Sequence, residues 1–207
     1  MVELENDAKL MENKFVRQYL LMTRAYQLGG SHEWAPETPF PRIFALLDEA
    51  IRLTIPDFDI SDLNSLYSLT EIDIIRLISS AHLFNGNAGQ ALGIFLRLIE
   101  LLDTDYIILP DRAETYTSIL VTTSKTYRYL NRYEEAYQLA DIGLNFCAQN
   151  QSIGGIPWLL YQKAIAAYYL HRKGEYRNLM EDTIKLFSYY GEKEMVEFCR
   201  ERKQQLA

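Results

Sequence analysis

The chain is poor in the residues that most often carry chemistry. Its 207 residues include two cysteines and three histidines. Cys147 and Cys199 stand far apart with no CxxC spacing, which argues against a disulfide framework or redox pair and for two buried thiols in a reducing cytoplasm. His32, His82 and His171 have no second histidine or carboxylate at ligand spacing, so neither a metal site nor a cofactor is expected. No glycine-rich phosphate loop, GxSxG elbow or Cys/His pair is present. Gly29-Gly30 and Gly154-Gly155 read as helix breaks, and Glu134-Glu135 as solvated charges at a helix start. No apolar run approaches the length of about 18 residues that a membrane span needs. Positive charge is short as well: 21 Lys and Arg stand against 28 Asp and Glu, a formal net charge of −7. With no basic tail, binding of DNA or RNA by this chain itself is not expected. The start, Met1-Val2-Glu3-Leu4-Glu5, is acidic and unlike a signal peptide. These gaps exclude the common enzyme classes and leave a cytoplasmic binding protein.

Helix signals and aromatics are abundant. Apolar residues make up 48% of the chain, with 15 Tyr and 9 Phe, enough for a continuous core. A first helix is predicted from about Asp7 to Leu28, stopped by Gly29-Gly30. A loop holding Trp34, Pro36 and Pro39 follows, then a second helix from Pro41 to about Thr54. Ser68-Leu69-Thr70-Glu71 has capping-box spacing and opens a third, ending near Asn85-Gly86. A fourth runs from Asn87 to Asp103. Tyr106-Ile107-Ile108-Leu109 has no partner strand and reads as a packed linker. A fifth spans Arg112 to Leu130 and a sixth Tyr133 to Gln149. Pro157 suits the first turn of a seventh, which ends near Lys173. Gly174 then turns into an eighth, Glu175 to Tyr190, and Gly191 into a last, Glu192 to Gln205.

The hairpins repeat. In Asn131-Arg132-Tyr133-Glu134-Glu135-Ala136 a tight turn opens an amphipathic helix, and Tyr133 and Ala136 share one face. Ser79, Ser124 and Ala167 align as small residues of the first helices, and Ala91, Ala136 and Leu179 as their partners in the second, at spacings of 45 and 43. The expected architecture is all-α: about nine helices in one domain, residues 1–207, forming a right-handed superhelix. Its hairpins fall at about 7–54, 69–104, 111–149 and 156–190, with a capping helix at 192–205.

This spacing resembles tetratricopeptide repeats with lengthened linkers. The segments NRYEEAYQLADIGLNFC, WLLYQKAIAAYYLHRKGEY and FSYYGEKEMVEFC, with SLTEIDIIRLISSAHLFNGNAGQALGIFLRLIELL upstream, resemble the sensor region of XRE-type and Rgg-like helix-turn-helix regulators of Gram-positive bacteria. The resemblance covers roughly residues 68 to 207. It implies a ligand-sensing and dimerising role in transcription regulation, with a homodimer formed through the last helix. The DNA-binding segment with which those regulators begin has no counterpart in residues 1–67, so contact with DNA would need a domain outside this chain.

In stacked hairpins the first helices line the concave face. Projection places Arg76, Ser80 and Phe84 there from the third helix, and Val121, Lys125, Arg128 and Tyr129 from the fifth. Tyr161, Tyr168, His171 and Arg172 join them from the seventh. Cations hold carboxylates by charge-assisted hydrogen bonds, and tyrosines pack the apolar side chains of an extended peptide. The expected function is capture of a peptide or protein ligand in this groove. A scaffold that binds a folded partner without any regulatory ligand is the alternative. The projection is sensitive to register, because one residue of slip turns a helix side chain by about 100°.

Overall fold

The computed structural model describes residues 12–30, 34–35, 37–63, 66–103 and 110–206. The apolar stretch 106–109 and the start of the first predicted helix lie outside them. Among the described residues the chain is an all-α repeat fold without strands. Its helices are α1 (Lys14–Gly29), α2 (Phe40–Arg52), α3 (Leu69–Phe84), α4 (Ala88–Asp103), α5 (Pro110–Tyr129), α6 (Tyr133–Asn150), α7 (Ile156–Tyr169), α8 (Lys173–Tyr189) and α9 (Lys193–Gln205). None of the described helices is long and apolar enough to cross a membrane. The chain forms two compact units, residues 1–101 and 102–207.

In the first unit α1 and α2 form a hairpin, and both meet α3. Ile43, Leu47, Ile51, Ile74 and Ile75 are wholly buried at its centre. Gln18 is buried with them, and its Nε2 donates to the Ala50 carbonyl at 3.0 Å and to Thr54 Oγ1 at 2.7 Å. The predicted capping box opens α3: Glu71 N–H donates to Ser68 Oγ at 3.3 Å and Ser68 N–H to Glu71 Oε2 at 2.7 Å. Trp34 stacks on Phe40 and Phe84 at 5.8 and 5.3 Å between ring centres. It lies so close to Gly29 that a Cβ there would sit 2.3 Å from the indole.

In the second unit α5 packs on α6, α6 on α7, α7 on α8 and α8 on α9, and the first helices α5 and α7 touch directly. The buried side of α5 is rich in hydroxyls. Thr117, Thr123 and Thr126 donate to the carbonyls of Ala113, Ile119 and Thr122 one turn back, at 2.7 to 2.8 Å. This bonding lets small polar side chains face a core without an unpaired donor. Ser124 Oγ instead donates across to the Ala136 carbonyl of α6 at 2.7 Å, as Ser79 Oγ of α3 does to the Ala91 carbonyl of α4 at 2.8 Å. The aligned pairs Ser79–Ala91 and Ser124–Ala136 are thus one recurring contact.

The turns fix the register. Asn87, Arg132, Arg172 and Glu192 N–H donate to the carbonyls of His82, Tyr127, Ala167 and Phe187, each five residues back, at 2.8 to 2.9 Å. A second bond links the preceding residue to the carbonyl three back, and that residue is left-handed: Gly86, Asn131, His171 and Gly191, with φ from 58° to 85°. These are four Schellman caps of one geometry. From Gly86 to Asn131 is 45 residues, and from Asn131 to His171 is 40. The second spacing corrects the expected 43. The turn between α7 and α8 is made at His171, a residue type enriched in the left-handed region, and not at Gly174, which lies inside the first turn of α8. The true equivalents are Ala164 for Ala167 and Tyr176 for Leu179. A three-residue slip leaves a side chain near the same helix face, so it preserved the apolar pattern while misplacing the turn.

Two outcomes follow. Alanine at Gly155 would place its Cβ 2.1 Å from Thr117 Cγ2, and Thr117 is buried and tied to Ala113. Gly155→Ala should therefore lower stability by about 1–3 kcal/mol in urea unfolding. Gly154→Ala, whose Cβ would meet nothing within 4 Å, should change it by less than about 0.5 kcal/mol. His82 packs its ring 4.7 Å from Phe44, its Nδ1 is buried without a partner, and burial lowers its pKa below 6.5. The neutral ring is the one the fold accommodates. Its contribution should be intact above pH 6.5 and fade as pH falls through that value toward the folded pKa. Thermal unfolding from pH 7.5 to 5 should show a smaller fall for His82→Leu than for the parent chain.

Candidate functional site

The turn geometry decides which side chains stand in equivalent places. The last residue of the helix before each Schellman cap is Phe84, Tyr129, Tyr169 and Tyr189 in turn. An aromatic at every such position is a repeat feature. Phe84 is covered by Trp34, whereas Tyr129, Tyr169 and Tyr189 remain 46%, 45% and 85% exposed. Aromatic rings left at solvent on equivalent turns serve neither helix formation nor the core.

In the second unit these rings join others. Tyr133, at the start of α6, stacks on Tyr169 at 4.4 Å with the planes 10° apart, and its hydroxyl donates to Asn131 Oδ1 at 2.6 Å. Tyr169 meets Tyr168 edge-on at 5.3 Å, and Tyr168 meets Tyr176 edge-on at 5.3 Å. A continuous chain of four tyrosines thus runs from the start of α6 across the end of α7 to the first turn of α8. Burial and the neighbouring Tyr169 raise the Tyr133 pKa, so its phenol stays a neutral donor.

The projected residues fall into distinct surroundings. Arg76 is half-buried beside Asp73, its Nε 3.1 Å from Oδ1, and Ser80 is buried with its hydroxyl on the Arg76 carbonyl. Both belong to the first unit, with Phe84. Val121, Lys125 and Arg128 are half-buried on α5, with Tyr129 exposed beyond them. Arg128 Nε donates to Gln162 Oε1 of α7 at 2.8 Å, and its guanidinium lies 5.7 Å from the centre of the Tyr161 ring. Tyr161 is itself 4% exposed and packs in the core with Phe198, so it is walled off from a ligand. Tyr168 is half-buried within the tyrosine chain. His171 is exposed and serves the turn.

Arg172 joins two hairpins. It donates to Glu134 of α6 at 3.1 Å and lies 4.6 Å over the Tyr137 ring. Lys163 lies over the same ring at 4.8 Å and donates to Asp141 at 2.5 Å, while the Tyr137 hydroxyl donates to Glu175. Burial and the Glu175 carboxylate raise the Tyr137 pKa, which keeps that donor protonated. A phenol between two cations with carboxylates at the edge holds α6, α7 and α8 together.

Tyr169, Tyr133 and Gln162 were not in the projection. A signal for Tyr169 was present: Tyr129-Leu130-Asn131-Arg132 recurs as Tyr169-Leu170-His171-Arg172, 40 residues later. Nothing in the chain suggested the stacking of Tyr133 on Tyr169, which needs two hairpins side by side. Both cysteines are buried and unpaired, and burial alone pushes the Cys199 thiol up to about 12. Among the described residues no group of three or more His, Cys, Asp or Glu could hold a metal ion.

No family model matches this chain, and no curated protein matches it. Solved structures do. A Podosopora anserina protein, described as a kinesin light chain with nearly identical TPR-like repeats, superposes with a TM-score of 0.60 at 11% identity, covering 95% of this chain and 97% of that one. A single-substitution variant of the same protein superposes with a TM-score of 0.58 at 13% identity, covering 91% and 92%. With paired helices, recurring Schellman turns and small residues at the helix crossings already in place, the fold is that of the tetratricopeptide-like helical repeats.

Proposed function

We propose that this protein is an interaction module that captures an extended peptide or a peptide-like segment of a partner protein and performs no chemistry of its own. The observation that carries this reading is the exposed tyrosine before equivalent turns of two hairpins, Tyr129 and Tyr169, continued by Tyr133 and Tyr168 and flanked by Lys125 and Arg128. Tyrosine supplies a large, stiff, amphipathic contact area at little entropic cost, and it is over-represented among the residues that dominate binding energies. The basic pair on an acidic chain favours an acidic segment in the ligand. The tetratricopeptide-like fold supports the same reading, since stacked hairpins offer extended surfaces for segments of other proteins.

The resemblance of residues 68–207 to the sensor regions of XRE-type and Rgg-like regulators adds a context: ligand sensing in transcription control, by a two-fold dimer formed through α9, with DNA reached by a separate domain. In that context the Tyr137 clamp is the element a ligand would bias. It ties one hairpin to the next, and a ligand alters hairpin packing only as far as it binds two arrangements unequally. Sedimentation of the chain as a monomer at all concentrations would count against the dimer.

Peptides selected from a random displayed library against the full chain should be enriched in acidic and apolar residues. Tyr129→Ala and Tyr169→Ala should each weaken a selected peptide at least tenfold by calorimetry, about 1.4 kcal/mol. Ile142→Ala, at an exposed position on α6, should leave it unchanged. Peptides that bind both tyrosine variants as tightly as the parent chain would place the contact elsewhere and remove this proposal.

A further inference from the structure

The second unit has a small cleft of about 310 Å³, counting the part open to solvent, where the end of α7, the start of α8 and the end of α9 meet. Its walls are Tyr168, Lys173, Tyr176, Arg177, Lys203 and Leu206. Three of the six are cations, in a chain whose formal net charge is −7. Lys203 is neutralised by Glu181, its Nζ 2.9 Å from Oε1. Lys173 and Arg177 have no hydrogen bond or ion pair with any described residue.

Their position is costly for stability. Lys173 opens α8 and Arg177 follows one turn later, at the end where the helix macrodipole is positive and cations are disfavoured. Arg172, the N-cap, makes no side-chain bond to the free N–H groups of that turn. Glu175, the acidic residue of the turn, is engaged by the Tyr137 hydroxyl. The first turn of α8 therefore carries two exposed cations, and its one carboxylate, Glu175, is bonded to Tyr137 of α6.

A second observation points the same way. Tyr176 is 2% exposed and walls this cleft, and its hydroxyl is buried with no hydrogen-bond partner. A buried donor left unpaired carries its full desolvation penalty, and an acceptor brought to it removes that penalty. Burial, with Tyr161 and Tyr168 nearby, pushes the phenol up to about 12, so it remains a donor throughout the physiological range. Arg202, one residue before Lys203 on α9, also acts on that phenol and adds a further cation on this side.

We propose that this cleft is an oxyanion-binding site, in which Lys173 and Arg177 hold a single carboxylate or phosphate group and the Tyr176 hydroxyl is the donor behind them. The exposed ring of Tyr169 adjoins Tyr168, a wall of the cleft, so a peptide lying on these two rings would bring a carboxylate to it. This placement favours a free C-terminal carboxylate as the group bound. Only that last step rests on the peptide-binding reading; the anion contact stands without it.

The test titrates the full chain, labelled with ¹⁵N, with inorganic phosphate at fixed ionic strength. In parallel it uses an acetylated tyrosine-rich tripeptide as its free acid and as its C-terminal amide. Phosphate should move the amide signals of residues 173–177 saturably, and the free acid should bind at least tenfold tighter than the amide. Lys173→Gln with Arg177→Gln should weaken both anions at least tenfold without unfolding the protein, because Lys173 and Arg177 are exposed. Tyr176→Phe should raise the melting temperature of the free protein and weaken phosphate severalfold, a combination that a purely packing role would not produce. Tyr129→Ala should leave the phosphate response intact, which separates failure of the peptide reading from failure of this one. A site that answers phosphate but treats acid and amide alike is a phosphate site and upholds the anion proposal. Phosphate shifts that chloride reproduces at matched ionic strength, or that survive the double substitution, overturn it.

Discussion

The Schellman turn is the constraint on which the rest of this structure depends. At Gly86, Asn131, His171 and Gly191 the chain passes through a left-handed residue, and two hydrogen bonds close over the last turn of the preceding helix. Those bonds satisfy carbonyls that a helix end otherwise leaves open. They also set the phase between one helix and the next. Once the phase is set, Ser79 meets Ala91 and Ser124 meets Ala136 through one recurring hydrogen bond, and in the α7–α8 hairpin the equivalent places are taken by Ala164 and Tyr176. Within the second unit the same phase gives the residues before the turns of α5 and α7 equivalent places, and Tyr129 and Tyr169 both stand exposed there.

Polar groups inside the second unit follow a consistent logic. The buried threonines of α5 bond their hydroxyls to their own helix, and that of Thr117 also meets Cys147 Sγ of α6 at 3.6 Å and Ser152 Oγ at 3.2 Å. Charged side chains are kept to the edges, where they join neighbouring elements. Arg172 and Lys163 lie over Tyr137, and Lys203 reaches Glu181 from α9. Exposed ion pairs of this kind contribute little to stability individually. Their value lies in fixing how adjacent hairpins meet, and hence how the tyrosines at their ends line up.

Two surfaces in this unit are out of step with stability alone: solvent-facing tyrosines before the turns, and cations at the wrong end of α8. The first suits apolar and aromatic side chains, the second an oxyanion. They adjoin at Tyr168, and an extended chain with an anionic end is the ligand we propose for both.

Much of this was legible in the linear chain. The capping box at Ser68 and Glu71, the break at Gly29-Gly30, the small-residue contacts at Ser79 and Ser124 and the burial of both cysteines all rest on local pattern. Each is set by residues within a turn or two of one another, or by a spacing that repeats. The register of the hairpin formed by α7 and α8 was not legible, because glycine is the usual marker of a left-handed turn and Gly174 stood close to the His171 that takes that role. Nor could the sequence separate Tyr161, sealed beneath Arg128 and Phe198, from Tyr169, left open on the rim. Both are tyrosines on one helix, and which of them meets solvent depends on what the neighbouring helices cover. Helices and most of the turns were therefore determined by short-range preference, whereas which tyrosines stand exposed was decided by the packing of one hairpin on the next.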